Sequence, residues 1–402
     1  MQALGYLTQP KMKSPIKKRL LIITRNFPPL VGGMERLNYH IYLELTKEFD
    51  VAIAGPKGCE KYLSPQTKFT LFPHKPLGLF LLKSFTSAYR LAIKEKPDLI
   101  IAGSGVTAII ALIAARSLGA KAMIFIHGLD ILFPNPTYQL LFLPAIRSCD
   151  GIWVNSEHTS TLAKQKGIAP KKINILHPGV TLPQDNKAFS SQVKFKEKYG
   201  ISANRKILLS VGRLTHRKGL AEFIQYCLAK IVQKHPDILL LIVGNNAKDA
   251  LNKQANILEK IEQATHTANV KDHVLTLGQL SEDDLSQAYI CSELLVFPVL
   301  NLPGDVEGFG MVAIEAAAHG LPTVAFAVGG VTDAVGHGIS GWLVEQNNYE
   351  EFTQTVLNYL SNLHGPKSQI VTKQTCRQHA TKFSWDRFGY QLTNTCKDIL
   401  HS

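Results

Sequence analysis

Cysteine is scarce and unpatterned, with six residues in 402 and neither a CxxC pair nor a zinc-like spacing. A disulfide framework or a cysteine-built metal centre is therefore excluded as the basis of the fold, and Cys59, Cys149, Cys227, Cys291, Cys376 and Cys396 are expected to be buried, inert thiols in a reducing compartment. Histidine offers no substitute. His40, His74, His158, His177 and His266 form no ligand-spaced cluster with acids, so no metal site is expected. Long apolar runs are missing as well: the opening MQALGYLTQPKMKSPIKKR has no apolar core and is not expected to act as a signal peptide, and the greasy run at 77–82 is too short to span a bilayer. The first strand-to-helix turn lacks GxGxxG, which argues against a dinucleotide oxidoreductase.

Acidic residues are short in one half only. Residues 1–180 hold 23 Lys/Arg and 10 Asp/Glu, the whole of the net charge of +13, whereas residues 181–402 hold 21 of each. A basic half attracts anionic partners. Nucleic acid is not expected, because no zinc module, RNP motif or aromatic-basic alternation accompanies the charge. The segment PHKPLGLFLLKSFTSAYRLAIKEK joins Leu77, Leu79, Phe80, Leu81, Leu82 and Phe85 to Lys75, Lys83, Arg90, Lys94 and Lys96. Two readings stand for it: a helix lying on an anionic membrane surface, or a core helix with a solvated basic edge.

What is present is an α/β pattern long enough for two cores. Apolar runs without polar alternation recur at 19–24, 51–54, 98–103, 122–127, 151–156 and 173–176, as parallel strands covered on both faces require. Met34, Leu37, Ile41 and Leu45 follow the first run at helical spacing. The chain turns polar near 178–200, and a second series of runs follows at 206–211, 238–244, 273–278, 293–299 and 321–327, with helical stretches at 219–233, 249–264 and 310–319. Two Rossmann-like domains in succession are expected, with the ligand in the cleft beyond the carboxyl ends of their strands.

Four segments carry chemistry. In TRNFPPLVGGMERL, Gly32 and Gly33 bare the backbone where a helix begins, which suits either an anion or a plain tight turn. In SVGRLTHRKGL, Arg213 and Lys218 can fold over one loop and hold the charge of a departing diphosphate, with Arg217 and His216 facing solvent; a solvated basic loop is the alternative. In PGDVEGFGMVAIEAAAHG, Glu307 sits in a Gly-rich turn, and Glu315 lies in the next helix on roughly the face of Met311, Val312 and His319. Glu315 is the one charged residue between Gly308 and Thr332, so it needs a partner or ligand such as a pair of ribose hydroxyls. Glu307 is placed to hold a sugar near its anomeric carbon; the alternative is an acid at a helix N-terminus with one satisfied core acid after it. In FIHGLD, His127 and Asp130 follow a strand, and the imidazole is placed to donate a hydrogen bond to a sugar hydroxyl or carbonyl.

NFPPLVGGMERL, FIHGLD, VNSEHT, SVGRLTHRKG, VGNN, the E-x7-E from Glu307 to Glu315 and VGGVTDAV, in that order, resemble family four of the retaining glycosyltransferases. The DVEGFG form also resembles the branch that makes phosphatidylinositol mannosides. The resemblance implies the GT-B fold: an acceptor-side domain at 1–180, a nucleotide-sugar domain at 181–382, and a terminal helix at 383–402 that crosses back to the first domain through Trp385 and Phe388. It implies that Gly33 meets the donor phosphates, Arg213 and Lys218 bind the diphosphate, and Glu307 contacts the transferred sugar. Glu315 would hold the ribose, Phe309 and Gly310 would offer backbone amides to the sugar, Gln279 and Leu280 would lie near the base, and His127 near the reaction centre. His177, Pro178 and Gly179 depart from the asparagine-containing crossing of many relatives.

The expected activity is hexose transfer with retention, without metal or cofactor, from a GDP- or UDP-linked sugar to a glycan or lipid-linked acceptor, with a lean to GDP-mannose. A noncatalytic sugar-nucleotide module of the same fold is the competing class. The expected location is the cytoplasm, with the basic half on the inner face of the plasma membrane.

Overall fold

Strands that are apolar on both faces need cover on both, and each of the two series of runs finds it by forming an all-parallel sheet between helices. The computed structural model describes residues 17–183, 188–245, 257–362 and 371–401. The first sheet comprises β1 (Arg19–Ile23), β2 (Asp50–Pro56), β3 (Phe69–Phe72), β4 (Leu99–Ala102), β5 (Lys121–Ile126), β6 (Gly151–Val154) and β7 (Ile173–Ile175), in the order β3-β2-β1-β4-β5-β6-β7. The second comprises β8 (Lys206–Val211), β9 (Ile238–Val243), β10 (Val274–Gly278), β11 (Leu294–Phe297), β12 (Thr323–Phe326) and β13 (Gly341–Val344), in the order β10-β9-β8-β11-β12-β13. Alternate residues of β1 feed opposite cores: Leu21 and Ile23 join Ile100 and Ile124, while Leu20 and Ile22 join Trp153 and Phe388. The two sheets face each other across a cleft, the GT-B arrangement.

Chain order reverses between β1 and β4 and again between β8 and β11. Loops leaving neighbouring strands on opposite sides of such a point cannot fill the space between them, so the carboxyl ends there open a crevice. On the first sheet this crevice is bounded by residues 24–32 and 103–107, and on the second by 212–219 and 298–310.

β3 and β13 are additions to the expected strands. Both lie at sheet edges and are only partly covered, so neither shows the unbroken apolar run of a central strand. The helix expected at 249–264 is seen as Ile257–Thr267, and its residues 249–256 lie outside the described residues. The six cysteines are buried, and no disulfide joins them. Among the described residues no helix is long and apolar enough to cross a membrane.

The terminal helix Trp385–His401 packs along the first helix, Gly33–Thr46. Phe388, Leu392 and Cys396 enter the core that holds Leu37, Ile41 and Leu45. Trp385 stacks on His40 with ring centroids 3.5 Å apart and planes 2° off parallel. Gly179 lies so close beneath the indole that a side chain there would strike it, which accounts for glycine at this crossing point.

Leu392 is fully buried in this contact. Leu392→Ala should cost about 2–5 kcal/mol and lower the urea midpoint followed by fluorescence of Trp385. An unchanged midpoint would show that the helix does not hold the first domain.

Candidate active site

The loop after β8 and the loop after β11 are locked together by charge. Gly219 has a left-handed backbone (φ 65°), and a Cβ there would collide with the Pro298 carbonyl, so only glycine lets the first loop press on the second. Leu300 N donates to Arg217 O at 2.8 Å across the same seam. Lys218 Nζ donates to Glu307 Oε2 at 2.8 Å and lies 4.6 Å over the Phe297 ring. Arg217 Nη1 binds the same Oε2, and its Nε donates to Asp305 Oδ1 at 2.9 Å. Two cations and two carboxylates thus balance each other in a site where three of the four side chains are less than 15% exposed.

The expectation for this loop needs a correction. Arg217 does not face solvent: it is buried, because Asp305 and Glu307 together compensate its charge. Arg213 is the exposed member and forms no ion pair among the described residues. His216 is half-buried, its Nε2 3.1 Å from Glu222 Oε1. Burial pushes the Glu307 carboxyl up, but Arg217 and Lys218 outweigh it and bring the group down to about 2. Burial lowers Lys218, with Glu307 opposing.

Beside this cluster, the turn from Glu307 to Gly310 is wedged from behind. Gly330 N donates to Glu307 O at 2.9 Å, and a side chain on Gly330 would strike the Gly308 carbonyl. Phe309 is buried and Gly310, with φ 94°, precedes the helix Met311–Ala318, so this turn meets the cleft through backbone.

Glu315, on that helix, is buried and accepts from Tyr289 Oη at 2.9 Å. Its second partner comes from the other domain: Arg36, one turn into the first helix, pairs with Oε1. Coulombic attraction to Glu315 raises Arg36 against the partial desolvation of its guanidinium. Both His319 ring nitrogens are bonded elsewhere than the carboxylate: Nδ1 donates to the Glu315 carbonyl at 2.7 Å and Nε2 accepts from Ser286 Oγ at 2.9 Å, so the ring caps its own helix. Neither Arg36 nor Tyr289 figured among the expected site residues, although Arg36 closes the GGMER string.

From the first domain, Gly33 is exposed at the start of its helix, where an added Cβ would lie 3.2 Å from Met311 Sδ. His127 Nε2 is 3.2 Å from Gly103 O. A carbonyl only accepts, so Nε2 donates to it, and Nδ1 is the ring nitrogen left for a ligand. Asp130 is a clip, accepting from Gly105 N and His127 N at 2.9 Å each. Gln279 and Leu280 leave β10 at the outer end of the cleft, where Gln279 Oε1 accepts from Asn245 Nδ2 at 3.3 Å.

The two domains touch elsewhere as well. A Cβ on Gly308 would lie 2.7 Å from His127 O, and Gly128 packs on Val306. Asp333 Oδ2 accepts from Glu157 N at 2.8 Å and lies 3.8 Å from His177 Nδ1. The His177 ring stacks on Phe309, so this departure at the domain crossing is built into the interface. Among the described residues no group of three His, Cys, Asp or Glu side chains is disposed to hold a metal.

Comparison with known proteins meets this geometry from outside. The family described as Glycosyltransferase Family 4 matches residues 31–183, and that described as Glycosyl transferases group 1 matches residues 191–375. An uncharacterized glycosyltransferase of Methanocaldococcus jannaschii is 26% identical over 65% of this chain and 63% of its own length. One from Haemophilus influenzae is 28% identical over 80% and 85%. The D-inositol 3-phosphate glycosyltransferase of a Mycobacterium species is 28% identical over 60% and 50%, so the match takes in half of that relative. Anabaena HepE, solved with UDP-glucose, superposes with a TM-score of 0.74 at 18% identity, covering 94% of this chain and 99% of its own. That last likeness is one of fold.

Glu307 has a pH signature. Its folded value lies below its ordinary 4.5, so the stabilisation from its ion pairs is complete above about pH 4.5 and is lost as pH falls toward about 2. Thermal melts of the parent and Glu307→Gln should therefore differ at pH 6 and draw together below about pH 4.5. A gap that stayed constant down to pH 3 would contradict the pairing.

Proposed function

We propose that this chain, which belongs to the GT-B glycosyltransferases of the two matched families and as such works on nucleotide-diphosphate sugars with retention, transfers a hexose to a phosphorylated or lipid-linked acceptor. The observation that carries this reading is the balanced cluster at the crevice, where Lys218 shares one Glu307 oxygen with Arg217. A diphosphate entering beside Gly33 and the 212–219 loop meets Lys218 within the cluster and Arg213 at its rim. These cations stabilise the charge that grows on the leaving oxygens in the place a metal would otherwise take. Glu307, released from Lys218, accepts hydrogen bonds from the sugar hydroxyls, while the Phe309 and Gly310 amides face the same ring. Glu315 receives the ribose hydroxyls, and Gln279 and Leu280 border the base. His127 Nδ1 accepts from a sugar hydroxyl.

A carboxylate given over to hydrogen bonds from the sugar hydroxyls is not free to attack the anomeric carbon, so the reading favours direct displacement. The acceptor hydroxyl enters on the face the diphosphate leaves, and a phosphate oxygen takes its proton. In this scheme the first 180 residues hold the acceptor, residues 181–382 hold the donor, and the helix from 383 fastens one to the other. Mannose from GDP-mannose is the first donor to test, UDP-hexoses the second. Support for a phosphorylated acceptor comes from the basic first half and from the D-inositol 3-phosphate named for the mycobacterial relative.

The first domain also carries a surface suited to anionic lipid. Helix Leu77–Glu95 buries Phe80, Ser84, Ala88, Leu91 and Ala92, yet leaves Leu79, Leu82 and Phe85 exposed beside Lys83 and Arg90. The buried face answers to the core-helix reading, and the exposed apolar and basic face is what supports the membrane reading. Leu140 and Leu141, two helices along the same layer, are exposed as well. We place the protein in the cytoplasm with this face on the inner leaflet.

Two experiments test these readings. Calorimetric screening of GDP, UDP and ADP, then product analysis, should yield one donor base and an α-linked product; in that assay Lys218→Ala should lose about 3 kcal/mol of transition-state stabilisation, roughly a hundredfold in rate. A folded Lys218→Ala variant with parental turnover would remove the proposed charge-holding role. In cosedimentation, phosphatidylglycerol vesicles should retain the parent while Leu82→Asp with Phe85→Asp should release it. Equal binding to neutral vesicles would dismiss the lipid surface.

A further inference from the structure

The functional reading uses Lys218, Arg213 and Glu307 and leaves the most enclosed cation of the site without a part. Arg217 is clamped at two points, on Asp305 and on Glu307, and its backbone carbonyl is tied to Leu300 in the neighbouring loop. Lys218 is held differently. Its amine sits at the end of a flexible stem, with Glu307 Oε2 as its one hydrogen-bond partner among the described residues and the Phe297 face beside it. Its Nζ lies 3.6 Å from where a Gly212 Cβ would stand, against the turn that a diphosphate would approach. One oxygen of Glu307 is therefore shared by a fixed cation and a movable one.

The consequence follows from charge balance. A diphosphate draws Lys218 toward itself. Were Lys218 the sole counterion of Glu307, its departure would leave a bare carboxylate in an enclosed site, and such a group takes up a proton rather than remain charged. A protonated Glu307 would donate one hydrogen bond where the sugar needs acceptors. We infer that Arg217, braced by Asp305, is the standing counterion of Glu307, keeping that carboxylate charged while Lys218 transfers from it to the leaving diphosphate. Arg217 is in this sense a positioning residue, and the inference rests on the function proposed above.

Among the described residues the surroundings supply no other candidate. Arg213 lies at the exposed rim, and Asp305 is occupied by Arg217. From the facing domain, the His127 loop meets the turn through its backbone carbonyl, with the His127 ring turned to Gly103. Asp333, on the short helix behind the turn, points to Glu157 and His177.

The test is a proton count. Binding of GDP or UDP to the full chain is measured calorimetrically at pH 7 in buffers of different ionisation enthalpy. Relative to the parent, Arg217→Met should take up as much as one additional proton per nucleotide bound; Arg217→Lys should return the count to the parental one, and adding Glu307→Gln to Arg217→Met should abolish the excess. A folded Arg217→Met variant with the parental count would overturn the inference, as would an excess that survives Glu307→Gln. A second arm needs neither an Arg217 variant nor a nucleotide. In Lys218→Met, Arg217 alone should keep Glu307 ionised, so the dependence of melting temperature on pH should stay on the acid side, below about pH 4.5. A transition near neutrality that Glu307→Gln removes would refute the assignment. If the parent binds no nucleotide diphosphate, the functional reading fails, and this second arm still decides the role of Arg217.

Discussion

The site depends on one oxygen atom with two cations. Glu307 Oε2 is where the loop after β8 and the loop after β11 meet, and the pair of charges it gathers explains several otherwise separate features. Burying an arginine, a lysine and two acids in one place is costly unless each charge has a partner of opposite sign, and here each does. The same balance lets Gly219 and Pro298 approach closely, because the cations of the first loop are compensated by the acids of the second. A site arranged in this way holds its cations in place without a ligand, and on the proposed function an anion would draw on them by exchanging one partner of Glu307 and leaving the other.

Around that cluster the two domains are coupled by contacts that are short in reach and few in kind. Arg36 crosses to Glu315, Asp333 crosses to the amide of Glu157, and the His127 carbonyl rests on Gly308. Each lies at the carboxyl ends of strands, so the surfaces that would touch a ligand are the ones that touch each other. On the far side the terminal helix, through Phe388 and Leu392, fixes the first domain by apolar burial. A polar front and an apolar back suit a molecule in which the front has to change partners and the back does not.

Most of the architecture was legible because central parallel strands are apolar on both faces, as 19–24, 98–103 and 238–244 show directly in their composition. β3 and β13 escaped because edge strands are covered on fewer sides and need no such run. In the site, Glu315 stood out for a physical reason: a lone acid in a long apolar stretch must have a partner. What could not be read was which partner. Arg36 is 279 residues away along the chain, and only the packing of the two domains brings it near. Arg217 was assigned to solvent for the same reason, since a three-residue basic string carries no mark of which member points inward; the acids that bury it, Asp305 and Glu307, come from a different loop. The tautomer of His127 likewise depends on the Gly103 carbonyl, a neighbour through the sheet and not through sequence.

The Arg36–Glu315 pair carries the same logic as the central cluster to the other end of the crevice. Glu315 is held by a phenol from its own domain and a guanidinium from the other. A pair of ribose hydroxyls reaching this carboxylate would compete with Arg36, which at 44% side-chain exposure has water available to it on release, and not with Tyr289, which is buried and has none. An arginine that left altogether would strip the buried Glu315 of its one cation among the described residues, whereas Glu307 keeps Arg217 when Lys218 leaves it. The two ends of the crevice therefore differ: on the proposed function a ribose would have to share Glu315 with Arg36, loosening the contact between domains without ending it, while at Glu307 the movable cation can leave completely because a fixed one stays.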